Sequence, residues 1–259
     1  MLRRSLPTIL STSLLMLSAA TLGSSQNGQA TIQYTASLSK NAECLSEVNE
    51  AREAAGLPKF KDAAGSNALI APTGALEEGP WKDLCVYLIP TTQTQNLAAR
   101  ATQDTFEQGT YAFRPLTTAD PKCTESVEYW ESAFKNFAGL PPSKSQGGTL
   151  YSVRENVSFL TLYNAQTDAT VDCRVVTCTQ TTQTTASGDS AEHSDPPAEE
   201  KHGYALLCKT IPAALPDDDS APLTQDQWDR IISSLTGSSS IANPGFGLLF
   251  ILAFSMLVL

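Results

Sequence analysis

The chain has 259 residues, with 17 Lys and Arg against 27 Asp and Glu, and a formal net charge of −10 at pH 7. Such an acidic balance argues against nucleic acid as a partner and against adsorption to anionic lipid headgroups or sulfated glycans. Its length suits one well-buried domain rather than several.

The N-terminus opens with the basic residues Arg3 and Arg4 and runs into the apolar stretch Leu6–Leu22, interrupted only by small hydroxyl residues and Pro7. That is the form of a signal peptide, expected over residues 1–25, with small residues at Ser18, Ala19, Ala20, Gly23, Ser24 and Ser25 offering cleavage sites. An uncleaved membrane anchor fits less well, because the uninterrupted apolar part falls short of the ~20 residues a spanning helix needs. At the other end, Gly237, Ser238 and Ser239 are small, Ile241–Gly245 is a short spacer, and Phe246–Leu259 is an apolar tail with no basic residue after it. Small residues, spacer and tail are the three parts of a glycosylphosphatidylinositol (GPI) attachment signal. Gly237, Ser238 and Ser239 are the candidate attachment sites, and a tail-anchored helix is disfavoured by the missing stop-transfer charge. Removing both signals leaves one expected domain over 26–236, with 15 basic against 27 acidic residues, or −12.

Six cysteines lie between the signals: Cys44, Cys85, Cys123, Cys173, Cys178 and Cys208. An even number on an oxidising secretory route predicts three disulfides, and spacing leaves all fifteen connectivities open. A zinc site at Cys173 and Cys178 is rejected, since no second close pair or neighbouring His completes it. Asn156-Val-Ser158 is a glycosylation sequon, making Asn156 the candidate acceptor.

In chain order, Leu45, Val48, Ala51 and Ala55 stand at helical spacing within a helix predicted over Asn41–Ala55, stopped at Gly56-Leu-Pro58. A second helix is expected over Asn96–Gln108. A third is expected over Pro121–Phe137, where Val127, Trp130, Ala133, Phe134 and Phe137 form an apolar face. Val157–Tyr163, Val171–Cys178 and Gly203–Lys209 are rich in β-branched or aromatic residues and predict strands of one sheet. Thr179–His202, with almost no large apolar residue, reads as a long exposed loop. Asp217, Asp218 and Asp219 read as a solvated turn rather than a metal site, since three adjacent carboxylates do not converge on one ion. Thr224 and Gln227 form a capping box for a last helix with Trp228, Ile231, Ile232 and Leu235 on its apolar stripe.

Several segments occur in an order that resembles a known superfamily. Asn49-Glu-Ala-Arg52 with Gly56-Leu57, Val127–Trp130, Asp172–Cys178 and Tyr204–Pro212 resemble the CAP superfamily of cysteine-rich secretory, antigen 5 and pathogenesis-related 1 proteins. Cys44–Phe60, Gly109–Pro142 and Pro222–Ser238 look more closely like the glycolipid-anchored surface antigens of Eimeria, apicomplexan gut parasites. The resemblance implies an α+β fold, a CAP-like α-β-α sandwich with a central, mostly antiparallel sheet flanked by helices and three disulfides. It also implies the pairing Cys173–Cys208. The two-His, two-Glu metal cleft of many CAP proteins is not carried over, because His193 and His202 both fall in or beside the expected loop.

With no metal ligand, no Gly-x-Ser-x-Gly elbow and no free thiol, no catalytic residue and no cofactor is expected. The expected function is a monomeric, GPI-anchored antigen on the outer leaflet of the plasma membrane. Its expected partners are a host cell-surface component or host antibodies, and its only contact with the membrane is the lipid. The alternative implied by the resemblance is a carrier of a sterol or other small apolar ligand.

Overall fold

A computed structural model of the protein describes residues 30–91, 106, 108–184 and 198–237. The signal-peptide region, most of 96–108, His193, Ser238, Ser239 and the apolar tail lie outside the described residues.

The sheet is built on two long strands, β4 (Thr170–Thr184) and β5 (Glu199–Ile211), which pair antiparallel from Thr170↔Ile211 to Thr182↔Glu199. β1 (Ala30–Leu38) pairs antiparallel with the far part of β4, and the two-residue β2 (Lys61–Asp62) pairs parallel with its near end. β3 (Thr110–Leu116) pairs antiparallel with β5, so the order is β1-β4-β5-β3.

Successive residues of a strand face opposite sides, and here both sides are covered. On one side, Val171, Cys173 and Val175 of β4 and Leu206 and Cys208 of β5 meet four helices: α1 (Leu45–Ala54), α3 (Cys123–Glu131), α5 (Arg154–Leu162) and α6 (Gln225–Gly237). Val48, Trp130, Phe159, Tyr163 and Ile231 fill that core. On the other, Val176, Cys178, Ala205 and Leu207 meet α2 (Pro80–Leu88) and the residues flanking it, through Leu69, Leu76, Leu84 and Ile89; the one-turn α4 (Lys144–Gly147) lies between α3 and α5 in the chain. The result is a mixed α/β fold, a mostly antiparallel sheet between helical layers. Both cores and all three disulfides lie within 30–237, so that stretch carries what it needs to fold by itself.

The disulfides tie the layers together. Cys44, just before α1, joins Cys123 at the start of α3; Cys85 of α2 joins Cys178 of β4; and Cys173 joins Cys208 directly across the β4–β5 ladder. The thinner layer is also pinned by polar groups: the buried Asp172 carboxylate accepts from the Leu69 N–H at 2.8 Å, and Arg174 Nε reaches the same oxygen at 2.8 Å.

Three expectations are corrected. Val157–Tyr163 is not a strand but most of helix α5. Asn156, Ser158, Phe159, Leu160, Thr161 and Leu162 are all buried, so no polar stripe betrays the helical period, and a short apolar run enclosed on all sides cannot be told from a strand by periodicity. The loop expected over Thr179–His202 is shorter: Thr179–Thr182 and Glu199–His202 continue the ladder. Threonine is polar yet β-branched, and β1 lies alongside to pair with the extension. His202 therefore sits in a strand. The helix expected to Phe137 ends its α-helical part at Glu131 and continues as a 3-10 turn over Ser132–Asn136. The sequence reading has no counterpart for β1 or β3.

β3 is an edge strand, and unpaired edges invite aggregation. Its central residue is closed off by side chains: the Phe113 N–H donates to Ser158 Oγ at 3.0 Å, and the Phe113 carbonyl accepts from the Trp130 indole at 3.0 Å. This places the middle of α5 beside β3, where two cavities open.

Candidate functional site

The Asn49/Arg52 pair, three apart on α1, faces inward and holds the returning chain. Asn49 Oδ1 accepts from the Phe60 N–H at 2.7 Å, while Arg52 donates to the Pro58 carbonyl at 2.9 Å and the Leu162 carbonyl at 2.8 Å. Its guanidinium lies 3.5 Å from the Phe60 ring centroid, and burial lowers the Arg52 pKa from 12.5 to about 10. Nearby, Tyr163 donates to Glu131 at 2.8 Å; burial raises both of their pKa values, although the hydrogen bond from Tyr163 opposes the rise at Glu131. Every one of these contacts is internal to the protein, so the motif is a clamp rather than a site.

Open space lies instead between α2, β3 and α5. One cavity of about 460 Å³ is bounded by Leu84, Phe113, Val157, Leu207 and Leu215, with Phe106, Tyr111 and Tyr151 adding aromatic walls. A second, of about 560 Å³, is bounded by Tyr87, Leu88, Pro115, His202, Gly203 and Tyr204. Gly203 makes the junction of α2 and β5 fit, since a Cβ there would stand 2.8 Å from Leu88 Cβ. Arg154 borders both cavities, its guanidinium 4.0 Å from the Tyr87 ring centroid and 5.6 Å from that of Phe113. At the rim Lys144 pairs with Asp217 at 2.6 Å, and burial pushes the Tyr151 hydroxyl up to about 12. Both volumes fall in the ~300–1,000 Å³ range of sites that hold small organic ligands.

The remaining predicted residues are placed as follows. The Asn156 side chain is 1% exposed; its amide donates to the Leu150 carbonyl at 2.9 Å, and its oxygen accepts from Asn136 at 2.7 Å. The amide is thus engaged inside the protein, and a glycan on that nitrogen would have to displace the Leu150 carbonyl. Gly237 is the last residue of α6. His202 meets Thr179 Oγ1 at 3.1 Å, and among the described residues no group of three or more His, Cys, Asp or Glu is placed to hold a metal ion. Asp217, Asp218 and Asp219 form an exposed turn, Asp217 bonding Lys144 and Asp219 bonding Ser145.

A family model described as the sporozoite surface antigen (SAG) protein domain matches residues 40–250. The chain belongs to this family. The match takes in every described element but β1. The chain is also 28% identical over 218 residues to the sporulated oocyst TA4 antigen of Eimeria tenella, covering 78% of each chain. No solved structure matches it. Among the described residues no helix is long and apolar enough to cross a membrane.

Nothing in the sequence marked Arg154, Tyr87 or Tyr151 as a group, since Tyr87 comes from a segment far from the other two. The signal available was only local: an unusual run of aromatic residues, Tyr87, Phe106, Tyr111 and Phe113, around a segment otherwise poor in charge.

Proposed function

We propose that this SAG protein is a GPI-anchored, non-enzymatic antigen on the outer surface of a parasite cell, where it takes part in host-cell attachment or host immune interaction. The observation that carries the reading is the family match over 40–250, which spans both helical layers and all six cysteines. The two ends of the chain support the anchoring: the signal-peptide pattern at 1–25, and the small residues Gly237, Ser238 and Ser239 followed by an apolar tail. Attachment at that point would put the lipid directly after α6, leaving the whole sheet outside the membrane. The order of motifs shared with CAP proteins, together with a sheet between helical layers, supports a CAP-like origin of the domain.

The test is display of the full chain on cultured animal cells followed by phosphatidylinositol-specific phospholipase C. Release of an intact, disulfide-bonded protein is expected, and retention after treatment refutes the lipid anchor. Saturable, competable binding of the released protein to host epithelial cells is expected of an attachment protein; unsaturable binding leaves it an antigenic coat without a receptor.

A further inference from the structure

β5 runs on past the end of β3 and leaves a stretch of free sheet edge. Just after β1, the Ser39 N–H donates to the Val175 carbonyl at 2.9 Å, so odd-numbered residues of β4 turn their backbone groups toward β1 and even-numbered ones toward β5. By register, Glu199, Lys201 and Gly203 of β5 face β4, while Glu200, His202 and Tyr204 turn their N–H and C=O groups to the side where β3 lies. β3 stops at Leu116, opposite Tyr204. Among the described residues, none hydrogen-bonds the backbone of Glu200 or His202 on that side. The cavity of about 560 Å³ opens along the same stretch, lined by His202 and Gly203 together with Leu88, Pro90, Leu116 and Thr117.

We infer that this edge docks an extended segment of a partner polypeptide, which lies antiparallel to β5 in the place β3 vacates and carries a basic residue opposite Glu200. Backbone donors and acceptors at alternate residues of one edge are matched by those of another strand, and the open groove gives that strand room in line with β3. The charge of the segment follows from the edge itself. Glu199 is taken up by Lys201 at 3.2 Å, whereas Glu200 is exposed and has no ion-pair partner among the described residues. Opposite charges directly across two strands stabilise the pairing and like charges oppose it, so Glu200 selects a basic neighbour and rejects an acidic one. The net charge of −10 draws the same kind of segment toward the molecule. The site stands on strand register and is independent of how the protein is anchored or whether it attaches to host cells.

The experiment is amide-resolved NMR of the refolded, disulfide-complete segment 30–237, alone and titrated with the peptide acetyl-Thr-Val-Lys-Val-Thr-amide, whose Lys falls opposite Glu200 when its first Thr falls opposite His202. In the free segment the Glu200 and His202 amides are expected to exchange at least about tenfold faster than those of Lys201 and Gly203, which β4 holds. Saturable one-to-one binding is expected to slow the first pair. Methylating the first Thr and the Lys amide nitrogens of the peptide, which face β5, is expected to weaken binding at least about tenfold. Exchanging its Lys for Glu is expected to weaken binding about threefold or more, and Glu200→Lys to reverse that preference. His202→Pro removes an N–H that faces the edge and leaves the β4 ladder intact, so a folded variant, checked by near-UV circular dichroism, is expected to bind at least about fivefold more weakly. No saturable binding, equal affinity for the methylated peptide, His202 and Glu200 amides already protected in the free segment, or unchanged binding to folded His202→Pro overturns the assignment. Dimerisation of the free segment that His202→Pro abolishes also overturns it, because the edge then belongs to a second copy of the chain.

Discussion

Replacing Arg52 tests the clamp that ties α1 to the chain return and to the end of α5. Arg52 is 1% exposed and its charged donors reach the buried Leu162 carbonyl and the partly buried carbonyl of Pro58, while its plane covers Phe60. Hydrogen bonds to a charged group contribute about 1.5–3 kcal/mol each, and a desolvated cation–π contact about 2 kcal/mol. Against them stands the cost of burying the charge: a pKa lowered from 12.5 to about 10 corresponds to roughly 3 kcal/mol. The Arg52→Ala protein leaves two unpaired carbonyls and a cavity, so we expect a loss of about 3–5 kcal/mol. The Arg52→Met protein restores the volume and removes the buried charge, so we expect about 1–3 kcal/mol. Guanidinium unfolding of the oxidised segment 30–237, followed by tryptophan fluorescence, measures both. A loss below about 1 kcal/mol for Arg52→Ala, or a greater loss for Arg52→Met than for Arg52→Ala, refutes the reasoning.

Glu131 has a pKa raised by burial from its ordinary 4.5, so the folded state favours its protonated form. Its stabilising effect is present below pH 4.5 and is lost as pH rises through the raised folded-state value; unfolding curves should show the wild type losing stability relative to Glu131→Gln across that window, and a constant difference would count against it. Removing the Cys85–Cys178 bridge, which closes a sequence separation of 93, should cost about 4–5 kcal/mol by chain entropy, and amide exchange should rise first around Leu69 and Leu84 on the α2 side of the sheet. In animal cells that glycosylate secreted proteins, peptide N-glycosidase should leave the gel mobility unchanged; Asn156→Ala should lower stability by about 1–3 kcal/mol because Leu150 and Asn136 lose their partner.

Local pattern alone carried several elements. The stripe of Trp228 and Ile231 and the capping pair Thr224/Gln227 set α6, where Thr224 N–H meets Gln227 Oε1 at 2.8 Å and the reverse bond measures 3.3 Å. Val127 and Trp130 mark α3 and Val48 marks α1 because each helix has one wet side, so its buried residues recur at the helical period. The even set of cysteines, the alternation in 171–178 and 203–209, and the motifs that resemble surface antigens are equally properties of the linear chain. Tertiary structure decided the rest. Helix α5 is hidden on nearly every side, so its sequence carries no amphipathic period; the Thr-rich end of β4 and the charged start of β5 are strands only because they pair with each other, and β4 also with β1. Asn156 reads as a sequon, but its accessibility depends on how α5 packs against Asn136 and Leu150. The cavities gather Tyr87, Phe113, Arg154 and His202 from four separate elements, and a site assembled across such distances in sequence exists only once the chain has folded.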